Sequence, residues 1–161
     1  MPDEIIERHV DLIKKAKKEV ALADHLLYVT YPMIKEMKFL LAISEHLINS
    51  CTNALEALLE FEKKYKRIAP FSTNFSVMAN TYKEKVAPFY NLDPKFYRLL
   101  RKLDEIRQLG VNSPVKFQRG EKYILASEDF KLTILDADAI KRYNNIAKRF
   151  IENVDVILSK A

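Results

Sequence analysis

The chain has 161 residues, with 27 lysines and arginines against 22 aspartates and glutamates, a modest excess of +5 that suits an acidic partner without demanding one. A single cysteine, Cys51, excludes an internal disulfide and multi-cysteine zinc patterns, which points to a reducing, intracellular setting. Two glycines, Gly110 and Gly120, are too few for a phosphate loop, and the longest apolar run, Phe39 to Ile43, is far short of the roughly 20 residues of a membrane span.

The opening stretch MPDEIIERHV carries acids where a secretory signal needs positive charge, so a mature cytoplasmic protein is expected, folded as one domain over 1–161. A first helix is predicted from Asp3 to about Tyr28, because Ile6, His9, Ile13, Ala16, Val20, Ala23 and Leu27 recur three and four residues apart. Tyr31-Pro32 should stop it, since proline disfavours helical geometry in the residue before it. A second, central helix is predicted from about Met33 to Arg67. Its seam is Leu40, Ile43, Leu47, Cys51, Ala54, Leu58, Phe61 and Tyr65, widened by Leu41, Ile48, Leu55 and Leu59. The short connection implies that these two pack as an antiparallel hairpin.

Phe75, Met78, Tyr82 and Val86 mark a shorter helix ending near Pro88. Asp93, as an N-cap acceptor ahead of Pro94, opens a helix through Phe96, Leu99, Leu100, Leu103 and Ile106, with Gly110 placed as its C-terminal cap. The period then changes, predicting a β-hairpin or meander over about 113–135 with a turn at Arg119-Gly120. Phe117, Tyr123 or Ile124, and Leu132 are expected to hold it against the helices. Asp136 or Asp138 caps a last helix with the seam Ile140, Tyr143, Ala147, Phe150, Val154 and Ile157. The expected fold is mainly α: an antiparallel helical bundle of about five helices with this small ribbon before the last one.

Few residues suggest chemistry. Asp24-His25 and Glu45-His46 are adjacent, so each pair diverges by about 100° around its helix, whereas a di-iron bundle needs Glu-x-x-His. No metal, cofactor or catalytic group is expected, and Cys51, inside a seam, reads as a buried filler. Glu45, Asn49, Thr52, Asn53 and Glu56 form a polar strip read as solvated; alternatively His46, Asn49 and Asn53 border a small-ligand pocket with the first helix. Clusters mixing cations with rings suggest a nucleic-acid surface made of Lys64, Lys66, Arg67, Arg98, Arg101, Lys102 and Arg107. A solvated face is the plainer reading of the same pattern.

With its long antiparallel helices over roughly Asp3 to Leu109, the chain resembles the HEPN helical domains, which include toxin ribonucleases and non-catalytic relatives. In the active members an Arg is followed four to six residues later by His, and the resemblance would assign that pair to RNA cleavage in a dimer cleft. Arg98-Leu-Leu-Arg-Lys-Leu-Asp-Glu-Ile-Arg107 has no such histidine, none follows His46, and Arg8-His9 is adjacent. The resemblance thus implies a catalytically silent module. The segment Asn112-Ser-Pro-Val-Lys-Phe is also similar to small archaeal helical proteins, with no functional implication. The expectation is a non-enzymatic interaction protein whose partner is a second copy, another protein or RNA, with no membrane or structural metal. The alternatives are a HEPN-like ribonuclease with a displaced site, using Arg98, Arg101 or Arg107 with His25 or His46, and a small-ligand bundle.

Overall fold

The protein is described by a computed structural model over residues 7–112, 115–129 and 131–160; the predicted start at Asp3 lies outside these. Helix α1 (Arg8–His25) buries His9, Leu12, Ile13, Ala16 and Ala23, the face expected from their spacing. Contrary to expectation, Pro32 does not end the helix. The chain continues through a π-helical turn, Leu26–Thr30, into α2 (Tyr31–Ile34), with the proline in the first turn of α2. Proline clashes with the carbonyl one turn earlier, and the wider π turn ahead of it relieves that conflict. The same device recurs later: α4 (Phe75–Thr81) runs through the π turn Tyr82–Val86 into α5 (Ala87–Tyr90), whose second residue is Pro88.

Helix α3 (Lys38–Lys64) is the central element, packed along α1 and α7 (Ala137–Ser159) and touching α4 and α6 (Pro94–Asn112). Arg8 bonds Glu56, the Ser50 hydroxyl donates to the Ala16 carbonyl, and His46 meets Glu19, so α1 and α3 run antiparallel. Lys17 with Asp155 and Asp24 with Asn144 set α7 antiparallel to α1. The α3 seam is buried from Leu40 to Phe61; Tyr65 lies beyond the helix end and is exposed. There the Lys66 amide donates to the Lys63 carbonyl at 3.0 Å and the Arg67 amide to the Glu62 carbonyl at 2.9 Å. This pair of bonds satisfies the last carbonyls, with Lys66 at φ 59° where glycine is usual.

Asp93 accepts the Lys95 amide at 2.9 Å to open α6, as expected. Gly110 does not close it: the helix runs on to Asn112, and Gly110 lacks a positive φ. The three strands, β1 (Val115–Arg119), β2 (Lys122–Ala126) and β3 (Leu132–Leu135), form an antiparallel meander in that order. Arg119 pairs with Lys122 across a two-residue turn whose first residue, Gly120, has φ 61°. Asp136 caps α7 by accepting the Ala139 amide at 2.8 Å. Among the described residues no helix is long and apolar enough to cross a membrane.

Of the residues expected to hold the sheet against the helices, Tyr123 does so, partly buried against the core, whereas Phe117 and Leu132 do not. Tyr123 pairs with Leu135 and Leu125 with Thr133; Leu125 and Leu135 join the common core, and the Thr133 hydroxyl lies 3.5 Å from Glu105 on α6. On the inner side of β1, Lys116 donates to the Gly110 carbonyl at 2.6 Å, placing a cation at the C-terminal end of α6. Phe117 and Leu132, predicted to supply the contact, face away from the helices and are 42% and 59% exposed. Strand residues alternate faces, so an offset of one residue reverses the whole set.

Candidate interaction surface

The seven cations proposed for nucleic acid are separated by the fold, and several are already engaged. Lys64 bonds both carboxylate oxygens of Glu7, at 2.5 and 2.7 Å, which raises its pKa. Arg67 bonds Glu62 through Nε at 2.5 Å, and its guanidinium lies over the rings of Tyr65, Phe61 and Phe89. Glu62 is buried and also accepts from the Tyr90 hydroxyl, so Arg67 is part of a clamp joining the end of α3 to α5. Arg107 bonds Asp104 at 2.6 Å and Lys102 lies 3.6 Å from Glu105. Lys66, Arg98 and Arg101 have no ion-pair partner among the described residues. Arg98, Arg101 and Lys102 line a groove of about 980 Å³ between α6 and the β2–β3 connection, but Asp104, Glu105, Glu128 and Asp129 line it too. Those carboxylates oppose a phosphate backbone along the same path.

The proposed ligand-pocket residues all lie on α3. His46 Nδ1 is 2.6 Å from Glu19, Asn49 is exposed and Asn53 half-buried. None of the three lines either large surface groove. Among the described residues no hydrogen bond or ion pair joins His25 or His46 to Arg98, Arg101 or Arg107, and no group of three His, Cys, Asp or Glu side chains is placed to hold a metal. Cys51 is fully buried and desolvation pushes its thiol up to about 12, which removes the thiolate a nucleophile needs. The polar strip of α3 is only partly solvated: Glu45 and Asn49 are exposed, whereas Glu56 is covered and paired with Arg8 at 2.8 Å.

The sheet presents a different surface. Phe117, Ile124 and Ile134 form one cross-strand row on the opposite side of the sheet, with Ala126 and Leu132 in the next; Ile124 and Ala126 are buried. Phe117 and Ile134 are more than two-fifths exposed, as is Leu132. At the hairpin tip Arg119 and Lys122 lie directly opposite each other, both exposed and without an ion-pair partner among the described residues. Like charges placed so repel one another. Strand β1 is a sheet edge, and Lys116–Arg119 are all exposed; among the described residues no hydrogen bond reaches their outward backbone groups.

No protein family, curated protein or solved structure matches the chain. The mainly helical make-up fits the general architecture expected but gives no support to a HEPN relationship in particular. The outer sheet face escaped sequence reasoning because β2, Lys-Tyr-Ile-Leu-Ala, is apolar on both parities. The alternation in β1 pointed the other way, since apolar Val115 and Phe117 between the polar Lys116 and Gln118 read as an inward face.

Proposed function

We propose that this chain is a non-enzymatic interaction protein that binds a partner protein by adding one of the partner's strands to β1. The supporting observation is the open backbone edge of Lys116–Arg119 beside an apolar outer face. An added strand gains main-chain hydrogen bonds, while its alternate side chains sit beside Phe117 and Arg119. The unpaired Arg119 and Lys122 favour a carboxylate on that strand. Natural sheets blunt such edges with bulges or coverage, and β1 has only its cations for that purpose. Strand β3 is the other edge, but it buries Thr133 and Leu135, and its role is to dock the sheet.

In this reading the helices form an antiparallel bundle that carries the sheet, in a cytoplasmic protein, and any HEPN-like relationship is to the catalytically silent members. Protein is favoured over RNA because four of the seven candidate cations face carboxylates that would have to be displaced. The test is selection of displayed random peptides against the folded protein. Recovered peptides are expected to slow amide exchange across Lys116–Arg119 and to bind Phe117→Asp at least about tenfold more weakly. Failure to recover any peptide with both properties would overturn the proposal.

A further inference from the structure

A second groove, of about 700 Å³, lies between the segment following α3 and the outer side of α4 with its π turn. Its walls have two characters. Ile68, Ala69, Pro70, Phe71 and Val77 supply an apolar lining, and Val77 is 43% exposed although it belongs to a regular helix. Lys63, Lys66, Arg67 and Lys85 line it as well, against the single carboxylate of Glu84. Two of these cations are neutralised within the protein, Lys63 by Glu60 at 3.2 Å and Arg67 by Glu62. Lys66 and Lys85 have no ion-pair partner among the described residues. Val77 and Lys85 both come from the continuous helix 75–90, whereas Lys66 is held on the opposite wall by the left-handed turn that ends α3.

We infer that this groove takes a short acidic segment of a partner protein, its apolar side chains against Ile68, Phe71 and Val77 and its carboxylates beside Lys66 and Lys85. Charge complementarity selects this occupant: with Lys63 and Arg67 already paired, Lys66 and Lys85 still leave the lining with two uncompensated cations against the one carboxylate of Glu84. A single-stranded nucleic acid fits less well, because bases need open aromatic faces. The one ring in the groove, Phe71, is half-buried and has the Lys63 ammonium 5.6 Å from its centroid. The other apolar lining residues, Ile68, Ala69, Pro70 and Val77, are aliphatic, which suits leucine-like side chains. This site shares no residue with β1, so it stands or falls separately from strand addition.

The probe is a labelled synthetic peptide alternating Glu and Asp with Leu and Phe, titrated at about 50 and about 300 mM salt. Binding is expected at low salt, weaker at high salt, reduced at least about tenfold in the double variant K66E/K85E and in Val77→Asp, and unchanged in Phe117→Asp. All four positions are exposed, and thermal unfolding of each variant verifies that the fold persists. No binding at low salt, or equal binding by K66E/K85E, overturns the inference. A single-stranded RNA of mixed sequence that binds wild type but not K66E/K85E, and displaces the peptide, would reassign the groove to nucleic acid and overturn it too. Loss of binding in Phe117→Asp alone would place the peptide at β1 instead.

Discussion

His9 sits in the α1 seam with its ring edge-on to Phe61, centroids 5.5 Å apart at 71°. Burial lowers its pKa; Glu7 opposes that shift and Lys64 reinforces it. The folded state therefore resists protonation at a pH where the unfolded chain accepts it, so the contribution of His9 is complete above the ordinary histidine value of about 6.5. It is lost as pH falls from there through the lower folded value. Glu7, held low by the Lys64 hydrogen bond, and Asp93, held low by the Lys95 amide and by Arg149, lose their contributions only in the carboxylate range. Urea denaturation is thus expected to give a lower stability at about pH 5.5 than at about pH 7.5, and His9→Phe should flatten that slope whatever its absolute stability. An unchanged slope in the variant would show that another group carries it. The identity of His9 as a seam residue was legible from its spacing to Ile13 and Ala16, whereas its pKa depends on the burial that the fold imposes and on Lys64 and Glu60 reaching it from α3.

The helices end at residues that sequence rules pass over. Lys35, Lys66 and Asn91 adopt φ of 55°, 59° and 51° and close α2, α3 and α5, positions where glycine is the common choice. With only Gly110 and Gly120 in the chain, lysine and asparagine take the strained turns, and Gly110 is left inside α6. A Cβ at Gly110 meets nothing within 4 Å, so Gly110→Ala should raise stability by about 0.5–1 kcal/mol through helix propensity. Gly120→Ala, with equal room but φ 61°, should lower it by about 1 kcal/mol. Chemical denaturation of the two variants checks the pair, and destabilisation by Gly110→Ala would contradict the helical assignment. Pro32, expected to stop a helix, instead follows a π turn, and Pro88, near which the third helix was expected to end, follows another, two residues before that helix ends at Tyr90. Local preference gave way there as the apolar face leading into each proline, Leu27 and Tyr31 in one helix and Tyr82 and Val86 in the other, is held in the core.

Across the whole molecule, stability is concentrated where α3 meets its neighbours and thins toward the sheet. Residues Leu47, Cys51, Ala54, Leu55 and Leu58 are fully buried, while Lys116–Arg119 are exposed along one edge. Amide exchange should accordingly be slowest in the middle of α3, through global unfolding, and fastest at the outward amides of β1, by local opening. Comparable protection in the two regions would contradict this ordering and the open edge with it. What the sequence by itself determined is the mainly helical make-up, the seams of α1, α3 and α7, the caps at Asp93 and Asp136, and the turn at Gly120. These follow from periodicity and local hydrogen-bonding chemistry, which act within a few residues. Only the tertiary structure decided which parity of β2 faces α6, which cations are spent on Glu7, Glu62 and Asp104, and that Lys66 and Lys85 share a groove. Those outcomes depend on side chains far apart in the chain meeting across packed helices, and no local pattern records where such meetings occur.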